Sequence, residues 1–263
     1  MKLQYYRALR LFGLGLAACQ LAACQPAAVP QPTLTPSATA APSHTPQPSA
    51  TFTPSATVRP LSAVCSPLAE HDIHSLITLY LTQPFIPPQG ENKETGHHGV
   101  DFAYYRGGPT GGHINGTPVQ AMLDGWVAGL GYNPVYGNYV ILETPAAWLP
   151  AAVAQLYALG TDDALYLLYA HLQQPAPFAL GAELSCAEVL GHVGDSGDRF
   201  FVSDPHLHLE TRHGPAGLQI GAMSYYSTSA SEAEQQNYLL WRTSDTFILS
   251  DPLWLLTYAA ETP

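Results

Sequence analysis

Residues 205–210 read Pro205-His206-Leu207-His208-Leu209-Glu210, and their alternation decides the fold class. Polar and apolar side chains alternate with period two, the pattern of a β-strand with one face in a core. On such a strand His206 and His208 point to the same face, while Leu207 and Leu209 point into the core. Outward from this stretch, short β-like runs separated by Gly, Asn, Asp and Pro recur at residues 100–104, 118–123, 126–130, 139–143, 164–170, 189–193 and 206–212. Many short strands at regular spacing predict an antiparallel sandwich or open barrel. Asp124-Gly125 is a hairpin signal. Leu68, Ile73, Ile77 and Leu81 have helical spacing and predict a short helix over 68–81, and the Ala-rich run 148–159 predicts an inserted helix. Residues 217–249 mix Tyr, Ser and Gln and match neither period.

Composition narrows the partners. The 263 residues carry 9 Lys and Arg against 20 Asp and Glu, a formal net charge of −11, and 11 His. That balance argues against a nucleic-acid partner and against docking on anionic lipid through a basic patch. Residues 1–24 read as an export signal: Lys2, Arg7 and Arg10 precede a short apolar run that is not long enough to span a membrane. The run ends in Leu-Ala-Ala-Cys twice, at Cys19 and at Cys24, which resembles the lipobox of bacterial lipoproteins. This implies lipidation of Cys24 or Cys19 and a membrane-anchored, extracytoplasmic protein. Residues 25–60, rich in Pro, Ser, Thr and Ala and nearly without charge, read as a disordered, semi-rigid tether. The folded domain is then residues 61–263. Outside the cytoplasm its two cysteines, Cys65 and Cys186, are expected to pair, the alternative being two buried thiols.

Three His clusters point to chemistry. Gly96-His97-His98-Gly99-Val100-Asp101 places His97, Gly99 and Asp101 on one face if the segment is extended, with space at Gly99. Tyr169-Ala170-His171-Leu172 ends an apolar strand, and His206 and His208 share a face. Zinc accepts imidazole nitrogen and carboxylate oxygen, and a catalytic zinc has three protein ligands with a fourth position left open. His97, Asp101 and one of the two strand His supply that set. The other strand His and His171 would act as base and oxyanion partner. His98 is a competing ligand one residue out of phase, facing away on a strand. His44, His71, His74, His192 and His213 read as solvated or turn residues.

Combined in order with Gly116-Thr117-Pro118-Val119, Asp124-Gly125, Tyr136-Gly137-Asn138 and Gly191-His192-Val193-Gly194, these clusters resemble the lysostaphin/LytM-type zinc endopeptidases of bacterial cell walls. The resemblance covers about residues 95–213, and Asp251-Pro252 corresponds to the family's closing segment. It implies a mainly β fold, an antiparallel β-sheet lining a groove (the duplicated-hybrid-motif type), with short peripheral helices. It implies one zinc ion held by His97, Asp101 and His208, catalytic imidazoles at His206 and His171, and Glu210 orienting a ligand from behind. The implied activity is hydrolysis of peptide bonds in peptidoglycan stem peptides or cross-bridges. The alternatives are a non-catalytic or latent wall-binding or regulatory module on the same fold, its groove filled by residues 62–96 in the latent form, and a purely structural zinc. The sequence departs from the family at His98, at Ser203-Asp204 and in the longer segments 105–115 and 146–163, which are expected to shape the groove walls.

Overall fold

The computed structural model describes residues 63–104, 112–200, 202 and 204–262. The expected signal, the tether, Cys19, Cys24, residues 105–111 and Ser203 lie outside the described residues.

Ten strands are described: β1 (Leu81–Gln83), β2 (Gly99–Phe102), β3 (Pro118–Gln120), β4 (Gly125–Asn133), β5 (Gly137–Pro145), β6 (Asp163–Leu172), β7 (Glu183–Leu184), β8 (Val189–His192), β9 (Leu207–Pro215) and β10 (Ile248–Ser250). The main sheet is antiparallel, in the order β1-β2-β9-β6-β5-β4-β7, with β10 also on β9. Strands β3 and β8 form a separate two-stranded sheet. The architecture is the expected mainly β, antiparallel one with short peripheral helices.

Both faces of the main sheet are covered, so β6 reads as a nearly continuous apolar run rather than an alternation. On one face Val100, Phe102, Leu165, Leu167, Tyr169, Leu207 and Leu209 join a core with Leu68, Leu76, Val119, Leu190, Leu255 and Leu256. On the other, Tyr139, Ile141, Tyr166 and Leu168 pack against Ile220, Met223, Tyr238, Trp241 and Phe247. That second core is built from the segment 217–249, whose period was not legible. It contains helix α3 (Glu232–Arg242), started by a reciprocal capping box between Ser231 and Glu234, and strand β10.

Three local expectations are corrected. Residues 68–81 are not one helix. A helical turn α1 (Ile73–Ser75), capped by Asp72, runs into a π-type turn at Leu76–Tyr80, and Leu81–Gln83 leaves to pair with β2. The helical spacing of Leu81 lost to edge-strand pairing. The inserted run is shorter than expected: a 3-10 turn at Ala146–Trp148 and then α2 (Ala151–Leu156), separated by Pro150. Asp124-Gly125 does not close a hairpin, because β3 and β4 belong to different sheets. It turns the chain from one sheet to the other, with Asp124 O accepting from Thr144 Oγ1 and Asp124 Oδ1 from Cys186 N.

A disulfide joins Cys65 to Cys186 with their Cα atoms 5.8 Å apart, tying the start of the described chain to the turn between β7 and β8. The final helix α4 (Leu253–Glu261) buries Leu255 and Leu256 in the first core. Among the described residues no helix is long and apolar enough to cross a membrane.

Candidate metal centre

Strands β2 and β9 pair antiparallel, Asp101 opposite His208 and Gly99 opposite Glu210. This register brings a residue of each strand together across 107 positions of sequence. His97 enters just before β2 on the same face. The atoms His97 Nε2, Asp101 Oδ1 and His208 Nδ1 form a triangle: 3.2 Å from His97 to Asp101, 3.2 Å from His97 to His208 and 2.8 Å from His208 to Asp101. Ligand atoms around a tetrahedral zinc with bonds of about 2.0–2.1 Å stand about 3.3 Å apart, so this donor set fits a zinc ion with little adjustment. These three are the His/Asp/Glu/Cys cluster able to hold a metal among the described residues.

Each imidazole of the triangle is anchored at its other nitrogen. His97 Nδ1 donates to Pro84 O at 2.8 Å, which leaves Nε2 as the ligand atom. His208 Nε2 faces Glu210 Oε1 at 3.2 Å, which leaves Nδ1 for the metal. Burial would raise the Asp101 pKa, but hydrogen bonds from His208 and His97 outweigh it and hold the carboxyl well below the usual range. Gly99 has a different role from the one expected. A Cβ there would lie 2.3 Å from Leu209 O and 3.0 Å from His208 Cε1, so the glycine lets β2 approach β9 and leaves room for the His208 ring.

The two further imidazoles stand beside the triangle. The His171 and His206 rings are 4.4 Å apart, and His206 Nε2 is 3.7 Å from Asp101 Oδ1. Their Nδ1 atoms are taken up by backbone carbonyls, Ser196 O for His171 at 2.9 Å and Asp204 O for His206 at 2.7 Å. A carbonyl can only accept, so Nδ1 carries the proton and Nε2 is the acceptor on each ring. Burial, with the neighbouring His206 and His208, pushes the His171 pKa down to about 3, and burial lowers that of His206 as well.

His171 reaches this position through a backbone irregularity. The β5–β6 register shifts between Asn138 and Val140, leaving an extra residue on β6, and His171 sits there at φ +62. Such a left-handed conformation is uncommon for a residue with a Cβ, and a bulge of this kind re-aims a side chain. The segment Tyr136-Gly137-Asn138 supports it. His171 N donates to Tyr136 O, Asn138 Nδ2 donates to Leu172 O, and Gly137 lets the 196 turn close in, since a Cβ there would lie 2.1 Å from Ser196 O.

Behind His208 lies a buried charge network. Glu210 is 0% exposed. Its Oε1 receives Tyr136 OH at 2.7 Å and Arg242 Nη1 at 3.3 Å, and its Oε2 receives Trp241 Nε1 at 3.1 Å and Arg212 Nη2 at 3.1 Å. Burial pushes the carboxyl pKa up, but the Arg212 charge, the His208 hydrogen bond and the Arg242 charge together hold it well below the usual range. His98 belongs to this network and not to the triangle. It is 1% exposed, its Nδ1 accepts from Arg212 Nη2 at 2.9 Å and its Nε2 donates to Thr95 O at 3.1 Å. Burial drives its pKa down to about 3.

The sequence alone points to six of these groups, His97, Asp101, His171, His206, His208 and Glu210, and not to Tyr136, Arg212, Trp241 and Arg242. Arg212 continues the 206, 208, 210 alternation and was findable by it. Tyr136 was noticed only as part of a motif. Trp241 and Arg242 lie on α3, with no local signal linking them to β9. Of the remaining His, His213 lies against Tyr157 and near Ser250, His71 against Tyr80, and His113 against Tyr104.

Residues 95–221 match the family model described as Peptidase family M23. A search of curated proteins finds no match. Among solved structures the chain is similar to the antimicrobial peptidase lysostaphin from Staphylococcus simulans, at 20% identity over 76% of this chain and 57% of that one, TM-score 0.41. It is similar to a zinc containing peptidase from Vibrio cholerae, at 21% identity over 57% of this chain and 36% of that one, TM-score 0.37. It is also similar to a variant catalytic domain of the prophage-encoded M23 protein EnpA from Enterococcus faecalis, at 21% identity over 54% of this chain and 86% of that one, TM-score 0.35. The chain thus spans less than two thirds of the length of the first two.

Proposed function

We propose, on the premise that residues 95–221 form a peptidase family M23 domain, that this protein is a zinc-dependent endopeptidase that hydrolyses peptide bonds in peptidoglycan stem peptides or cross-bridges. The observation that carries the reading is the triangle of His97 Nε2, Asp101 Oδ1 and His208 Nδ1 with the Nε2 acceptor of His206 standing 3.7 Å from Asp101 Oδ1. One zinc ion held by those three atoms would supply Lewis acidity toward a peptide carbonyl and toward water.

The chain's own groups handle the protons. His206, neutral with its Nδ1–H tied to Asp204 O, offers Nε2 to take a proton from the attacking water. His171, its ring 4.4 Å from that of His206, offers the same atom beside it. Either ring can stabilise an oxyanion only after it has been protonated at Nε2. The proton taken from water therefore makes the donor, and passing it to the departing amine restores the neutral ring. All five side chains this chemistry needs are present, which disfavours the non-catalytic module. Pro84 O bonds the nitrogen of His97 opposite the ligand atom, which favours a supporting role for the adjoining segment over the latent, groove-filling one.

The reading includes an extracytoplasmic protein held to the membrane by lipid on Cys24 or Cys19, with residues 25–60 as its tether. A net charge of −11 is unsuited to attraction by anionic wall polymers, which leaves proximity to the lipid anchor. The test is to purify the full chain, measure its zinc and digest peptidoglycan with mass spectrometry of the products. Expected are about one zinc per chain and cut peptide bonds. A metal-free protein, or cleavage unaffected by His208→Ala and His206→Ala, overturns the reading. Incorporation of labelled fatty acid, abolished by Cys24→Ser or Cys19→Ser, tests the anchor.

A further inference from the structure

The geometry points to Arg242, with Trp241 beside it, as a positioning residue of the metal centre that acts through Glu210. The inference rests on the zinc-peptidase reading above and concerns a helix outside residues 95–221, the part that matches the family model.

Helix α3 presents Tyr238, Trp241 and Arg242 at the spacing that stacks side chains on one helix face. Tyr238 and Trp241 are fully buried, and the Arg242 side chain is only 10% exposed. Trp241 Nε1 donates to Glu210 Oε2, while Arg242 Nη1 donates to Glu210 Oε1 and to Tyr136 OH. Oε1 is the atom that faces His208 Nε2. The opposite edge of the same guanidinium reaches Glu94: Arg242 Nε lies 3.3 Å from Glu94 Oε2, to which Tyr238 OH also donates at 3.1 Å. Glu94 stands three residues before His97. One cation on α3 therefore holds the carboxylate behind one ligand and the chain leading into another.

Stability alone does not account for this arrangement. Burying a carboxylate with two guanidinium groups carries a desolvation cost that an apolar cluster of the same volume avoids. What the cluster secures is direction. With Oε1 held against Nε2, His208 keeps its Nε2–H on Glu210 and turns Nδ1 toward His97 and Asp101. Partners that orient a ligand in this way typically change metal affinity by about 10–100-fold when removed.

The test measures zinc and cobalt(II) binding by the full chain, stripped of metal and titrated against a competing chelator. Arg242→Met is expected to raise the zinc Kd by about 10–100-fold and to alter the visible band of the cobalt form. Arg242→Lys is expected to restore part of the affinity, and Trp241→Phe, which removes one donor and keeps the ring packing, to show a smaller loss. Thermal midpoints of the metal-free variants are read alongside. If they fall while Kd and the cobalt band stay at the parent values, Arg242 is a structural residue only and the inference is overturned. Should Arg242→Met not fold, Arg242→Lys and Trp241→Phe decide, and parental affinity in both overturns it. Failure of the parent protein itself to bind zinc, with His208→Ala as control, removes the reading of the site and this inference together. Tight parental binding with unchanged variants removes the inference alone.

Discussion

His208 stands between two carboxylates, with Asp101 Oδ1 2.8 Å from its Nδ1 and Glu210 Oε1 3.2 Å from its Nε2. The same ring therefore links the triangle to the buried charge network behind it.

That position makes the metal-free protein sensitive to pH. Burial alone would lower the His208 pKa, but the hydrogen bonds to Asp101 and Glu210 raise it from 6.5 to about 9. A pKa raised by folding contributes stability that is fully present below 6.5 and is lost as pH climbs through about 9. The depressed pKa values of Asp101 and Glu210 work the other way: their contribution is full above the ordinary values of 3.8 and 4.5 and is lost progressively as pH falls below them. The thermal midpoint of chelated protein is expected to fall across the alkaline window, and zinc uptake near neutral pH to release a proton from Nδ1. Midpoints at several pH values, and calorimetry in buffers of different ionisation heat, check both. A midpoint flat over this window contradicts the assignment.

The two acceptor imidazoles are separable from the ligands. His206→Ala and His171→Ala are each expected to lower kcat by about 10²–10⁴-fold with zinc content unchanged, whereas His208→Ala loses the metal. Metal analysis beside turnover on a peptide substrate distinguishes these outcomes. Loss of zinc from His206→Ala would move that residue into the ligand set.

Gly99→Ala tests the close approach of β2 to β9. The added methyl meets Leu209 O and the His208 ring, so an overpacking loss of about 1–3 kcal/mol in urea unfolding is expected, with weaker zinc binding from the displaced ring. An alanine variant with parental stability and zinc affinity would show that the strands yield without effect.

His98→Leu separates the out-of-phase His from the metal. It leaves Arg212 Nη2 without its imidazole acceptor in a buried site, a loss of about 1–3 kcal/mol, while zinc stoichiometry stays at the parental value. Loss of zinc with stability retained would instead make His98 a ligand.

Much of the site was legible because its logic is local. Period two puts His206, His208, Glu210 and Arg212 on one face of β9, and it puts His97, Gly99 and Asp101 on one face of the segment through β2. The Leu81 strand and the Asp124-Gly125 turn were misread for the same reason in reverse. Spacing and turn chemistry carry no information about which distant strand competes for a segment.

By itself the sequence determined the strand alternation, and with it which imidazoles and carboxylates face together, since side-chain direction on a strand follows from residue parity alone. Only the tertiary structure decided the rest. The β2–β9 register set Asp101 against His208, a bulge turned His171 into the left-handed region, and α3 brought Trp241 and Arg242 to Glu210. Those contacts join residues 31 to 107 positions apart. Hydrogen-bond pairing and core packing across the sheet, not local propensity, select them.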